Sequence, residues 1–196
     1  SVDWPWATMN GSVLGFVTRN LAPGGLYASA AVLPWAIQPL WLSASLAIGL
    51  ATMWSAMADR SPEATDRGLL LVALATQLVS PLGWVYYLWL PLGPAAALLV
   101  QHARHGTHGS TQPVSPSSVR WRRGFLIASV PFLVCPLALT LGFQPRPWVT
   151  LTLGSAYFWG TLFLWICALI DWRMSNQRFQ YAPLPLATAA SVRLRM

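Results

Sequence analysis

The stretch GLLLVALATQLVSPLGWVYYLWLPLGPAAALLV, residues 68–100, carries no charged side chain from end to end. As one α-helix it would be about 50 Å long, against about 30 Å of bilayer hydrocarbon. Ser80-Pro81-Leu82-Gly83 stands in its middle. Pro81 has no amide hydrogen to donate and disfavours helix at Ser80, and Gly83 lowers helix propensity further. The stretch therefore divides into two apolar helices, about 67–80 and 84–101, joined by a tight turn.

The rest of the chain has the same character. Of its 196 residues, 55% are hydrophobic and 9% charged, where a soluble domain is about 25% charged. That balance excludes a disordered chain, a coiled coil and a disulfide-stapled secreted domain. The two cysteines, Cys135 and Cys167, both sit in apolar runs and read as buried packing rather than as a disulfide or a thiolate metal site. A first span runs from about Leu33 to Met57, followed by a charged loop holding Asp59, Arg60, Glu63, Asp66 and Arg67. A polar linker extends from Gln101 to about Arg123 and precedes a fourth span, about Gly124 to Phe143. The turn Gln144-Pro145-Arg146-Pro147 leads into a fifth span, about Trp148 to Ile170, with Asp171-Trp172-Arg173 at its exit. The expected fold is all-α: a polytopic helical membrane protein of about five transmembrane helices plus an interfacial helix. Its expected parts are an outer-face loop with the interfacial helix in 1–32, three spans in 33–101, a cytoplasmic linker in 102–123, two spans in 124–170 and a cytoplasmic tail in 171–196. Because the chain begins at Ser1, it is expected to be a piece of a longer protein.

Orientation follows from arginine, since the net charge of +7 contains no lysine. Five spans put Arg60, Arg67, Arg104, Arg120, Arg122, Arg123, Arg173, Arg178, Arg193 and Arg195 on one side, and Arg19 and Arg146 on the other. Ten against two makes the first side cytoplasmic. A four-span reading, with 68–100 unbroken, still gives nine against three, so length rather than charge favours five. The arginines stand at the ends of apolar runs, which fits topology and not nucleic acid. A plasma-membrane, multi-pass location follows.

The chain has no Walker loop, no HExxH and no paired metal ligands. His102, His105 and His108 cluster in the linker, but Gly106 and Gly109 disfavour a helix there, and a solvated loop is the simpler reading. Four of the five acidic residues fall at the cytoplasmic border, leaving Asp3 alone outside. Two places carry more. In Asn10–Leu21, a helix would put Ser12, Gly15 and Arg19 on one stripe, with Val13, Phe16, Val17 and Leu21 opposite, and Pro23-Gly24-Gly25 ending it. The plain reading is an interfacial anchor with a solvated arginine; the sharper one is a cationic rim for an anionic headgroup, since arginine makes forked bonds to phosphate. Asn10-Gly11-Ser12 also fits a glycosylation sequon. The second place is the break Ser80–Gly83 followed by Trp84, Tyr86, Tyr87 and Trp89, which suits either an interfacial aromatic belt or a sugar pocket. Gln77, the most polar mid-span residue, reads as a helix–helix hydrogen bond.

The order of these motifs, Asn10-Gly11-Ser12-Val13-Leu14-Gly15 with Arg19 and then Ser80-Pro81-Leu82-Gly83-Trp84 one span later, resembles the C-terminal half of glycosyltransferase family 87. That family comprises membrane enzymes of the GT-C fold, including bacterial polyprenyl-phosphate-mannose-dependent α-mannosyltransferases and related arabinofuranosyltransferases. The resemblance covers mainly residues 8–100. The family commonly has Gln where Gly11 stands, Ser where Gly83 stands, and His where Tyr86 and Tyr87 stand. It implies transfer of a mannose-like or arabinose-like sugar from a polyprenyl-phosphate donor to a glycan or glycolipid acceptor on the outer face. Arg19 would contact phosphate, Asn10 and Ser12 would hold the donor or order the loop, and Ser80, Trp84, Tyr86 and Tyr87 would border the sugar pocket. The family's catalytic carboxylate lies nearer the N-terminus of the full protein and is expected upstream of this chain; Asp3 does not match its motif. No cofactor or metal ligand set is visible, and the expected partners are membrane lipids, the lipid-linked sugar and its acceptor. The alternative is a non-enzymatic membrane subunit or a small-molecule transporter.

Overall fold

The structure, a computed structural model, describes residues 8–22, 28–59, 64–83 and 146–181, with single positions at 90, 93, 96, 97, 100, 124 and 127; for 174–181 it describes the backbone. The described elements are helical, with no strand among the described residues: α1 (Val13–Leu21), a 3-10 turn (Pro34–Ala36) running into α2 (Ile37–Ala58), α3 (Ala64–Val79), α4 (Pro147–Leu151), a second 3-10 turn (Leu153–Ser155) and α5 (Ala156–Tyr181). The expected spans 84–101 and 124–143 lie, apart from those single positions, outside the described residues, as do the linker 102–123 and the tail from 182 onward.

α3 is the central helix. Its Arg67, Leu70, Leu71, Leu74, Ala75 and Leu78 are buried at the 3–4 spacing of one helix face. They pack against Val13 and Val17 of α1, Ile48 of α2, and Phe158, Trp165 and Ala168 of α5. The indole of Trp41 donates to the carbonyl of Val79 at 3.1 Å, which places the start of α2 beside the end of α3. At the opposite end Arg67 reaches Asp59 beyond α2 and Asp171 in α5. α2 and α5 therefore both run antiparallel to α3. The Trp165 indole, donating to Thr52 Oγ1 at 3.0 Å, ties these two outer helices together.

α2 is inside out by the standard of a soluble fold. Its buried residues are Ile48, Thr52 and Ser55, while Leu42, Leu46, Leu50, Met53, Trp54 and Met57 are exposed. Small and polar residues facing a neighbouring helix, with leucine outward, is the arrangement of helices that pack in lipid. Two helical stretches, Pro34–Ala58 and Pro147–Arg173, are long and apolar enough to cross a membrane.

Two expectations for the fifth span and its charges are revised. The span is not one helix: it breaks at Thr152, whose backbone leaves the helical region at φ −98 and ψ −82. Side chains satisfy two carbonyls at the break, Ser155 Oγ donating to Thr150 at 2.9 Å and Trp159 Nε1 to Leu151 at 2.8 Å, while the Trp148 carbonyl accepts the Thr152 amide at 3.0 Å and Thr152 Oγ1 at 2.7 Å. The helix itself runs past Asp171-Trp172-Arg173 to Tyr181, while the membrane-length stretch ends at Arg173. Finally, Arg67 and Asp171 do not mark a solvated border. Arg67 is 1% exposed, with Nη1 donating to Asp59 at 2.6 Å and Nε to Asp171 at 3.0 Å. Ion pairing across 104 residues is a tertiary fact, and hydropathy cannot reveal it.

Position 124 belongs to this same end. A Cβ built on Gly124 would come within 2.9 Å of Cys167 Sγ, one turn before Asp171.

Removing one member of a buried ion cluster strands the others, so Arg67→Ala should cost about 3–5 kcal/mol. Arg67→Met combined with Asp59→Asn and Asp171→Asn removes every charge of the cluster and should recover much of that loss. Equilibrium unfolding of the purified variants checks the order.

Candidate functional site

At the end of the bundle opposite Arg67, two sequence-distant motifs meet. Asn10 Nδ2 donates to the carbonyl of Pro81 at 2.9 Å, and the amide of Gly11 donates to the carbonyl of Gly83 at 2.7 Å. These carbonyls lie beyond the end of α3 at Val79, and the 10–12 segment supplies donors for them. Ser80 builds the turn from within: its amide still donates to Thr76 at 2.9 Å, and its Oγ accepts the Leu82 amide at 3.3 Å.

Asn10 is the hub. Its Oδ1 accepts the Ser12 amide at 3.0 Å, closing a local turn that aims the chain into α1. Ser12 is the helix N-cap, its Oγ accepting the Gly15 amide at 3.1 Å. Arg19, two turns on, reaches back so that Nη1 donates to the Asn10 carbonyl at 3.0 Å. Its Nε and Nη2 both point to Ser155 Oγ at 3.4 Å, in the 3-10 turn between α4 and α5. α1, the Pro81 turn and the α4–α5 break thus converge on one polar knot.

Arg19 is 3% exposed, so the expectation of a solvated arginine on an interfacial anchor is corrected: α1 is embedded among α2, α3 and α4. Asn10 is fully buried with its amide donated to Pro81, which excludes the sequon reading. Asn10, Ser12, Arg19 and the Ser80 turn are brought together as the motif order implied. Trp84, Tyr86 and Tyr87 lie outside the described residues, as do Asp3, His102, His105 and His108. Ser155 is a member that sequence reasoning missed. Its one signal was Leu153-Gly154-Ser155, a small polar interruption inside an apolar run. Gln77 is buried one turn before the break, and its carbonyl faces Gly83.

Gly83 is sterically required, and Gly11 sits in a tight but less demanding place. A Cβ on Gly83 would fall 2.3 Å from the Gln77 carbonyl oxygen and 2.8 Å from Ser12 Cβ. A Cβ on Gly11 would stand 3.3 Å from the Tyr157 carbonyl group. The two glycines touch each other, the Gly11 amide donating to the Gly83 carbonyl at 2.7 Å.

Chemically the knot offers donors: a guanidinium, a primary amide and hydroxyls. Asp59, Arg67 and Asp171 lie at the other end of α3, roughly 18 Å away at 1.5 Å per residue from Arg67 to Val79. Among the described residues no group of three or more potential metal ligands occurs. The chain matches no protein-family model, no curated protein and no solved structure.

Gly83→Ala meets backbone oxygen at 2.3 Å, whereas Gly11→Ala meets a contact 1 Å longer, at 3.3 Å. Gly83→Ala should lower stability by about 1–3 kcal/mol or more, and Gly11→Ala by clearly less. Ser12→Ala, which loses a cap, should cost about 1 kcal/mol. Parallel thermal melts of the three variants rank them.

Proposed function

We propose that this chain is part of a multi-pass membrane glycosyltransferase that uses a polyprenyl-phosphate sugar donor on the outer face of the membrane. The observation that carries the reading is the knot itself. The two motifs that resemble glycosyltransferase family 87 are joined by Asn10–Pro81 and Gly11–Gly83 hydrogen bonds, with Arg19 beneath them. A broken helix that needs partners at membrane depth is tolerated where backbone is buried in protein or lines a cavity.

Five spans are supported by direction. α3 brings the chain to the knot, residue 124 lies near the far end beside Cys167, and α4 starts again from the knot at Pro147. One crossing between 83 and 124 and one between 124 and 146 satisfy those positions. An unbroken helix over 68–100 does not, since α3 stops at Val79. Arg19 and Arg146 fall at the knot end, and Arg67 and Arg173 at the other, in keeping with a cytoplasmic far end.

In this reading Arg19 is the phosphate contact. Its two bonds to Ser155 are at the long limit for a hydrogen bond. A phosphate would exchange them for shorter charge-assisted ones. Asn10 and Ser12 act as positioning residues, holding α1 and the Pro81 turn. Ser80, Trp84, Tyr86 and Tyr87 follow the break and would border the sugar. None of these residues is a carboxylate, so deprotonation of the acceptor hydroxyl falls to another group.

A transporter or non-enzymatic subunit is the second reading. What favours it is the buried Asp59–Arg67–Asp171 cluster, since buried ionisable groups in a membrane bundle often serve transport.

Topology is tested with Cys135 and Cys167 replaced by alanine and single cysteines at Leu82 and Met57, which are 49% and 79% exposed. A membrane-impermeant thiol reagent added outside should label position 82 and spare 57; the reverse pattern would overturn the orientation. Function is tested by adding polyprenyl phosphate to the purified chain. It should raise the melting temperature, and Arg19→Gln should weaken binding roughly tenfold or more. No turnover by this chain alone is expected. Equal response of wild type and Arg19→Gln to the lipid would remove the glycosyltransferase reading.

A further inference from the structure

At the far end of the bundle, away from the knot, a groove of about 440 Å³ runs between the last turns of α2 and the middle of α5. Its walls include Trp54, Ser55, Ile166, Ile170, Trp172 and Arg173. Trp54 and Ile170 are exposed, so the groove opens sideways, toward whatever surrounds the two membrane-length helices. Ser55 turns its hydroxyl inward, donating to the Ala51 carbonyl at 2.7 Å, which leaves the floor apolar.

Two polar features stand out against that floor. The indole nitrogen of Trp172 is buried and has no hydrogen-bond partner, in a residue 8% exposed. A buried indole N–H without an acceptor is costly. Arg173 is exposed at the rim, and among the described residues no carboxylate lies within ion-pair distance of it. The nearby carboxylates, Asp59 and Asp171, are both engaged by Arg67.

We propose that this groove binds an anionic phospholipid of the cytoplasmic leaflet, its acyl chain along Ile166 and Ile170 and its phosphate at Arg173. The argument is charge complementarity on an apolar track. A zwitterionic headgroup brings its own cation to Arg173 and gains little, whereas an anionic one does not. One arginine at the surface is worth about a five-fold preference. The site lies at the opposite end of α3 from the knot. It rests on the membrane reading above, though not on glycosyl transfer.

The test reconstitutes the full chain in phosphatidylcholine vesicles holding a minor fraction of dibrominated phosphatidylglycerol or, in parallel, dibrominated phosphatidylcholine. Bromine quenches nearby tryptophan, and the groove's share is the signal lost in Trp54→Phe/Trp172→Phe. The brominated phosphatidylglycerol should quench that share several-fold more efficiently than the phosphatidylcholine. Arg173→Gln, which retains both tryptophans and alters an exposed residue, should abolish the difference, and Arg173→Lys should keep most of it. Equal quenching by both lipids in wild type would overturn the site while leaving the membrane reading intact. So would a headgroup preference that survives Arg173→Gln. If other tryptophans are quenched but the groove's are not, protein such as a second copy fills it, and the proposal fails. No quenching anywhere would overturn the membrane reading together with the site.

Discussion

Past the end of α3 at Val79, the carbonyls of Pro81 and Gly83 need donors, and in an apolar surrounding these must come from within the protein. Asn10 and Gly11 supply them at 2.9 and 2.7 Å. Much else follows from meeting that requirement. The 10–12 segment has to lie flat against the Pro81 turn, so position 83 has no room for a side chain between Gln77 and Ser12. The same placement starts α1 at Ser12 and carries Arg19 into the interior, where it reaches the Asn10 carbonyl and Ser155.

The other end of α3 is held by a different force. There a guanidinium binds two carboxylates, one just past α2 and one in α5. The central helix is thus anchored by backbone satisfaction at one end and by charge at the other, with a leucine face between. Buried charge of this kind is weak as net stabilisation but intolerant of partial removal. It fixes the register of α5 on α3 in a way that an apolar face cannot, because leucines tolerate sliding by a turn and a bonded Arg67–Asp171 pair does not.

Helical spans were legible because hydropathy and length are local properties. The run from Leu33 to Met57 appears as Pro34–Ala58, and the break at Pro81 falls where proline chemistry puts it. The meeting of Asn10–Arg19 with Ser80–Gly83 was legible only through motif order, not from periodicity. What stayed hidden was whatever depends on partners. Arg19 was read as solvated because an arginine stripe on a short helix usually is, and its partner Ser155 lies 136 residues away. The break at Thr152 was missed for a related reason: its exposed carbonyls are satisfied by Ser155 and Trp159, residues that in sequence read as ordinary members of an apolar run. Asp171 and Arg67 looked like border charges because each, taken alone, is one.

The long separations inside the knot also set an order of assembly. Asn10 cannot bond Pro81 until 71 more residues have been made, and Arg19 cannot reach Ser155 until 136 have. During synthesis, α1 emerges before the Pro81 turn and the α4–α5 break that it bonds. It is drawn inward in two steps, first when the end of α3 arrives and then when the α4–α5 break does. Of the described helices, α1 is made before the partners that seal it, so its arginine acquires all of its buried bonds only once residue 155 is in place.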